Sequence, residues 1–342
     1  MVSAMQASAR KRRRAGRGRV VAITGVNGVP GARLLRRLEE DDQVRSIVLL
    51  DRHAPALPLR KGVAVVVDLT STFADAAIAE ALARERVEVV VHAAFHAAPV
   101  RALDAAHELE VIGTRALLHA IAHDVRQGGT VEQLVVLGTT MSYGALPDNP
   151  QYLSEDAPLR GGEGYPFVAD KIAAEREVAT FRRRTGLPTT VLRAAWTVGA
   201  PSTLAAQILA PIAVPAVLGA DPLVQVVHVD DLVDAAWLAC HAGRDGTFNI
   251  AADGVLPLST VIKLVGRLRA AAPDIVLRRA LQALWIAGVG IVPGAHASFL
   301  RETFVADPVC AADVLGFRAR YAIRDALGHH VALRRGGART AA

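Results

Sequence analysis

Short apolar runs, each ending in a small, polar or charged residue, recur through the first two thirds of this chain, with helically spaced segments between them. Val20 to Ile23 is β-branched and apolar throughout, as a strand covered on both faces requires. Ala32 to Leu38 then repeats apolar residues at helical spacing, and Ser46 to Leu50 is a second apolar run. Val63 to Val67, Val87 to His92 and Leu134 to Leu137 read as further strands, with a helix around Ala105 to Asp124 between the last two. This alternation predicts an α/β fold with a doubly wound parallel sheet. No repeat of 20 to 50 residues and no low-complexity linker interrupts it.

The junction of the first run with its helix, RVVAITGVNGVPG from Arg19 to Gly31, carries the first chemistry. Gly25 permits a tight turn, Gly28 lets backbone approach a pyrophosphate, and Gly31 lets helix pack closely on strand, with Asn27 and Val29 completing the turn. The helix amino terminus then offers free N–H groups to the phosphates. Asp51 ends the second strand about twenty residues on, where a carboxylate accepts hydrogen bonds from the adenosine ribose. A 2′-phosphate would meet that carboxylate, so NAD is expected over NADP, although Arg52 offers a guanidinium that could pair with such a phosphate. Asp68 and Leu69 are placed to flank adenine, and Ala93 and Ala94 are small enough to lie against the cofactor.

Composition changes little. The formal charge of +6 suggests a polyanion partner, but residues 1 to 19 alone hold seven basic and no acidic residues. The remaining body has 32 basic against 33 acidic residues, which removes the case for nucleic acid. The basic segment reads as a disordered tail over 1–18. Its arginines lead straight into the first strand, leaving no apolar segment or cleavage region of a secretory signal. Cys240 and Cys310 form no CxxC pattern, so neither a disulfide framework nor a metal site is expected, and the cytoplasm is the expected compartment. Ala280 to Leu300 has no formal charge, but Gln282, the glycines, Pro293 and His296 interrupt it, so a buried element of a cap is expected there and no integral membrane span.

Taken in order, TGVNGVPG at Thr24, LLD ending at Asp51, VVHAA at Val90, GT at Gly113, TTMSYG at Thr139, DKIAAE at Asp170, VHVDDL at Val227 and FNIA at Phe248 resemble the NAD-dependent epimerase/dehydratase family of extended short-chain dehydrogenases/reductases. YGALPDNP and SEDAPLRGG resemble a bacterial subgroup labelled UDP-glucose 4-epimerase-like. The resemblance implies a Rossmann-type doubly wound sheet with a smaller C-terminal substrate-binding lobe. The NAD-binding part would take 19–198, with 224–252 returning to it, the lobe 199–223 and 253–330, and a tail 331–342. It also implies a small-molecule substrate, and homodimers through paired helices are common in the family.

The family's chemistry uses a serine or threonine, a tyrosine, and a lysine four positions after it, on the same helix face. Thr139 matches the hydroxyl and Lys171 the lysine, but the tyrosine position is Phe167. Glu110 stands where the family has an asparagine that supports the lysine and a proton-relay water. Tyr165 is six residues before Lys171, about 120° away on an ideal helix, and could serve only by reaching in from a loop. His96 reads equally as a polar loop residue or a base. His228, Asp230 and Asp231 read as hydrogen-bonded scaffolding.

Lysine could also remain to bind the nicotinamide ribose. The lobe segment from Ala200 to Pro222 contains neither asparagine nor arginine, the residues that nucleotide-sugar enzymes of this superfamily offer to a diphosphate. Three readings follow. The leading one is an NAD-binding oxidoreductase acting on a hydroxyl-bearing small molecule, with a nucleotide sugar among the options, Thr139 and Lys171 positioning it and Tyr165 or water carrying the proton. The others are a reductase or isomerase of an apolar alcohol or ketone, and a non-catalytic dinucleotide sensor or scaffold.

Overall fold

The computed structural model describes residues 18–55 and 59–340, so the tail expected over 1–18 lies, but for Gly18, outside the described residues. β1 (Arg19–Thr24) enters a glycine turn and then α1 (Val29–Glu39), with Gly28 at the N-cap and a proline in the first turn. Period-two side chains divide β1 between two cores: Val21 and Ile23 pack with Leu34 and Leu38 of α1, while Val20 and Ala22 face the opposite layer. β2 (Val44–Asp51), β3 (Gly62–Val66), α2 (Ala74–Glu85) and β4 (Val89–His92) follow. The helix expected around Ala105 to Asp124 is broken into α3 (Leu103–His107), a π-helical turn over Glu108–Ile112, and α4 (Gly113–Arg126). β5 (Gln133–Thr139), a 3-10 turn (Thr140–Tyr143), α5 (Pro166–Thr185) and β6 (Thr189–Ala194) complete the first half.

Next come β7 (Trp196–Val198), α6 (Leu204–Ile208), β8 (Ala213–Val217), β9 (Leu223–Val224), β10 (Val226–His228), α7 (Val229–Ala242) and β11 (Gly246–Ile250). β12 (Leu256–Pro257), α8 (Leu258–Leu264), β13 (Leu268–Ala272), α9 (Asp274–Ile286) and α10 (Ile323–Thr340) end the chain. Seven strands make one parallel sheet in the order β11-β6-β5-β4-β1-β2-β3. The strand order reverses beside β1, between β1 and β4, so a crevice opens at their carboxyl ends, where ligands bind in such sheets. The fold is the Rossmann-like doubly wound α/β architecture.

A second body of structure stands over that edge. β8 pairs parallel with β13, β9 antiparallel with β12, and α9 packs with a 3-10 turn over Gly294–Leu300 around Leu277, Leu281, Val292 and Phe299. Two expectations need correction. The segment around α9 is not uniformly buried: Ile286 and Val289 are 75% and 72% exposed, because only the Leu277–Leu281 stripe faces inward. Residues 331–340 are no loose tail. They continue α10, whose Ala326, Leu327 and His330 are buried at helical spacing.

One buried polar hub holds the halves together. Arg193 on β6 pairs with Glu175 on α5 at 2.5 Å and donates to the Tyr143 hydroxyl (2.7 Å) and the Glu155 carbonyl (2.8 Å). Tyr143 in turn donates to Asn249 on β11 at 2.7 Å, and the Asn249 amide donates to the carbonyls of Leu153 and Asp307. Both ionic side chains are nearly enclosed, at 7% and 12% exposure. Removing one partner of such a pair strands the other charge. Arg193→Leu is therefore expected to cost on the order of 3–5 kcal/mol in urea unfolding, and Arg193→Leu with Glu175→Leu is expected to recover part of that loss. A double variant as unstable as the single one would refute the stranded-charge account.

Candidate active site

The glycine turn has the close contacts its sequence suggests. Gly25 has φ +72°, and a Cβ there would lie 2.5 Å from the Ala93 carbonyl oxygen of the neighbouring strand end. A Cβ on Gly31 would lie 2.2 Å from the Gly25 oxygen, so helix and turn touch only because position 31 is bare. At Gly28 the built Cβ meets only the Gly25 oxygen at 3.2 Å. The N–H groups of Val29 and Gly31 make no backbone hydrogen bond outside α1 to the described residues, which leaves donors at a helix amino terminus.

At the end of β2 the Asp51 carboxylate accepts from the Arg52 N–H at 2.8 Å and, at 3.4 Å, from the Asn27 N–H of the turn. The Asn27 side chain donates to the His53 carbonyl at 2.9 Å and ties the turn to that strand end. Arg52 faces Asp68 at 3.8 Å. Asp68 also accepts from the N–H and hydroxyl of Thr70; burial pushes its carboxyl up, but these bonds and Arg52 outweigh it and hold the carboxyl below its usual range. Leu69 is buried, its Cβ 3.0 Å from where a side chain on Gly113 would begin.

At the strand ends a cavity of about 160 Å³ is lined by Gly28, Val29, Ala93, Thr139, Phe167 and Lys171, among others. Thr139 caps the 3-10 turn, accepting from the Met141 N–H at 3.2 Å. The same cavity is lined by Ser142 and Trp196, whose hydroxyl and indole N–H are buried with no partner among the described residues. Orphaned polar atoms of this kind call for a partner the described residues do not supply, a water or a polar ligand group. Turn, free N–H donors, strand-end carboxylate acceptor and orphaned groups together form a set of polar groups that fits a dinucleotide.

Lys171 is held on every side. Its ammonium donates to both Glu110 oxygens (3.0 and 3.2 Å) and to the His96 carbonyl (3.0 Å), and lies 4.5 Å from the Phe167 ring centroid and 5.4 Å from that of Phe95. Glu110 sits in the π-helical turn, and its carboxylate also accepts from the His96 N–H at 2.9 Å. The Thr114 hydroxyl donates to the Glu110 carbonyl at 2.5 Å, so its oxygen accepts from Nε2 of His92 at 2.8 Å, and His92 Nδ1 accepts from the Thr24 hydroxyl at 2.7 Å. Burial brings His92 down to about 3, keeping it neutral in this chain.

The Tyr165 hydroxyl makes its hydrogen bond away from Lys171. Tyr165 is the N-cap residue of α5, 2% exposed, and its hydroxyl bonds Nδ1 of His296 at 3.1 Å. Burial raises its phenol above the usual range. It faces a second cavity of about 240 Å³, lined also by Pro99, Val100, Leu103, Phe167 and Trp285. Tyr143 is committed to the Arg193 hub. His228 accepts from the Asp230 N–H at 3.2 Å, and Asp231 accepts from the N–H groups of Arg320 and Tyr321. Arg33 of α1 reaches the same junction, bonding Asp230 and, at 3.0 Å, the Gly199 carbonyl. Thr24, His92 and Thr114 each stand inside a motif quoted above, but no sequence signal joined them into one hydrogen-bonded chain, and none marked Arg33. Among the described residues no cluster of three His, Cys, Asp or Glu is placed to hold a metal ion, and no helix is long and apolar enough to cross a membrane.

The chain matches the NAD dependent epimerase/dehydratase family over residues 21–251. The uncharacterized proteins Rv0501 of Mycobacterium tuberculosis (strain H37Rv) and Mb0513 of Mycobacterium bovis are each 31% identical over 259 residues, 75% of this chain and 68% of theirs. Among solved structures, UDP-glucose 4-epimerase of Thermotoga maritima with UDP-glucose superposes with TM-score 0.70 at 19% identity, covering 93% of this chain and 99% of that one. The dTDP-glucose 4,6-dehydratase of Bacillus anthracis in complex with NAD gives 0.70 at 16% identity, covering 94% and 98%. These last two likenesses are likenesses of fold.

His296, like His92, is brought down to about 3 by burial. Between that value and the unfolded value near 6.5 the unfolded chain binds a proton that the folded chain refuses, so stability falls as pH falls below about 6.5. Each such histidine contributes about 1.4 kcal/mol per pH unit in that window. Urea unfolding of His296→Phe, which keeps a ring and removes the titration, is expected to lose about 1 kcal/mol less than the parent between about pH 6 and about pH 5. Parallel pH slopes in the two proteins would mean that His296 is not held neutral.

Proposed function

This chain belongs to the NAD-dependent epimerase/dehydratase family, and from that membership we propose that it binds NAD at the carboxyl ends of β1, β2 and β4 and oxidises or reduces a hydroxyl-bearing small molecule there. The observation that carries the proposal is the single cavity in which the glycine turn, Thr139 and Lys171 meet. The backbone at Gly25, Asn27, Gly28, Val29 and Gly31 holds the pyrophosphate, and Asp51 takes the ribose hydroxyls. Arg52, turned toward Asp68, and Leu69 border the adenine side, while Ala93 and Ala94 leave room beside the nicotinamide ribose. When bound, the nicotinamide supplies a hydride acceptor or donor. Thr139 orients the substrate oxygen, and Lys171, its charge paired with Glu110, stands beside it. Tyr165, turned to His296, fills space and lines the substrate side.

A second observation narrows the substrate. The 240 Å³ cavity contains no lysine or arginine in its lining, and its two carboxylates, Glu110 and Asp170, are already bonded to Lys171 and His107. Such a lining favours a neutral, largely apolar alcohol or ketone over a sugar diphosphate, the class bound by the Thermotoga protein.

Calorimetry tests the cofactor. NAD is expected to bind more tightly than NADP, and Asp51→Ala to weaken NAD by roughly 10- to 100-fold through loss of hydrogen bonds to a charged acceptor. Equal affinity for NADP, or no effect of the substitution, would reverse the assignment. Reduction of bound NAD, followed by absorbance with UDP-glucose and with cyclohexanol as probes, tests the reaction.

A further inference from the structure

Two residues, His96 and Phe167, line both the cofactor-side cavity and the apolar one behind it. Phe167 has no proton to exchange. The other titratable side chains lining the two spaces are engaged: Glu110 with Lys171, Asp170 with His107 at 2.7 Å, Glu175 with Arg193, and Tyr165 with His296. The His96 imidazole makes no hydrogen bond or ion pair to any described residue, and the residue is half-buried. Its backbone is gripped at both ends, the N–H donating to Glu110 at 2.9 Å and the carbonyl accepting from Lys171 at 3.0 Å. The buried ion pair thus fixes the peptide of one residue and leaves its ring unbonded at the wall between two cavities.

We propose that His96 carries the substrate's hydroxyl proton at this site, with Glu110 and Lys171 as the positioning residues that hold it there. This rests on the oxidoreductase reading above. In the oxidation direction the O–H bond breaks toward an imidazole nitrogen, while the carbinol C–H bond gives its electron pair, as hydride, to the dinucleotide of that reading. The products are a carbonyl compound, the reduced dinucleotide and an imidazolium that returns its proton to water. Imidazole suits the task because its ordinary ionisation lies near neutral pH, whereas the missing phenol needed a neighbouring cation to reach that range.

The test uses the full chain and two readouts. Diethyl pyrocarbonate modifies unprotonated imidazoles, and peptide mass spectrometry reports each site. Saturating NAD is expected to slow modification of His96 by about fivefold or more, a proximity effect, while His119 and His123, exposed on α4, react as before. Unchanged labelling of His96 overturns the proposal. In the second readout, His96→Gln is expected to reduce bound NAD at least about 100-fold more slowly than the parent with cyclohexanol or UDP-glucose. Its NAD affinity should stay within about twofold of the parent's, which also reports that the variant is folded, and free imidazole should restore part of the rate to His96→Gly. A His96→Gln protein that binds NAD and turns over at the parental rate overturns this proposal alone. A parent that binds NAD but is never reduced by either probe overturns the oxidoreductase reading, and this one with it.

Discussion

The burial of one carboxylate organises the centre of this molecule. Glu110 is 1% exposed, and a charge so enclosed survives only with a partner and with its lone pairs occupied. Lys171 supplies the partner, and the His96 N–H occupies a further lone pair. Glu110 lies where the helix departs from α-helical geometry. The π-helical turn over Glu108–Ile112 inserts the extra residue that re-aims it, as such turns do at functional positions. Thr114, His92 and Thr24 then lock that turn to β4 and β1, so the crevice at the strand switch and the ion pair share one rigid support.

The charge balance of the site follows from this pairing. An asparagine at position 110 would leave the lysine's positive charge free to act on a neighbouring hydroxyl. A carboxylate at 3.0 Å spends much of that field on itself. Phe167 fits the same logic: a lysine already neutralised by a carboxylate and resting 4.5 Å from a ring centroid has no phenol to activate. The two departures from the family pattern thus meet on one ammonium, which contacts both the Glu110 carboxylate and the Phe167 ring.

The alternation of strands and helices, the glycine turn and the strand-end place of Asp51 were legible in the sequence because each is set by a local pattern: β-branched runs, a bare position where backbone meets backbone, an acid closing an apolar run. Phe167 and Glu110 were legible as departures, since a residue type at a motif position needs no coordinates. Their pairing partners were not. That Lys171 turns to Glu110 and His96, that Tyr165 turns to His296, and that Arg193 gathers Glu175, Tyr143 and Glu155 are contacts between separate elements, with no periodicity to announce them. The exposed side of α9 was missed for a related reason. An uncharged stretch looks the same whether a lobe has room to cover one face of it or both, and here it covers one.

Arg33 has a mechanical meaning. It rises from the helix that follows the glycine turn, two residues past Gly31, and ends on Gly199 and Asp230, where the chain passes between the sheet and the outer lobe. A Cβ on Gly199 would strike the His228 ring at 2.3 Å, so this joint is as tight as the glycine turn itself. α1 is thereby tied by one side chain to the joint between sheet and lobe, so any displacement of that joint relative to α1 would have to break the Arg33 contacts.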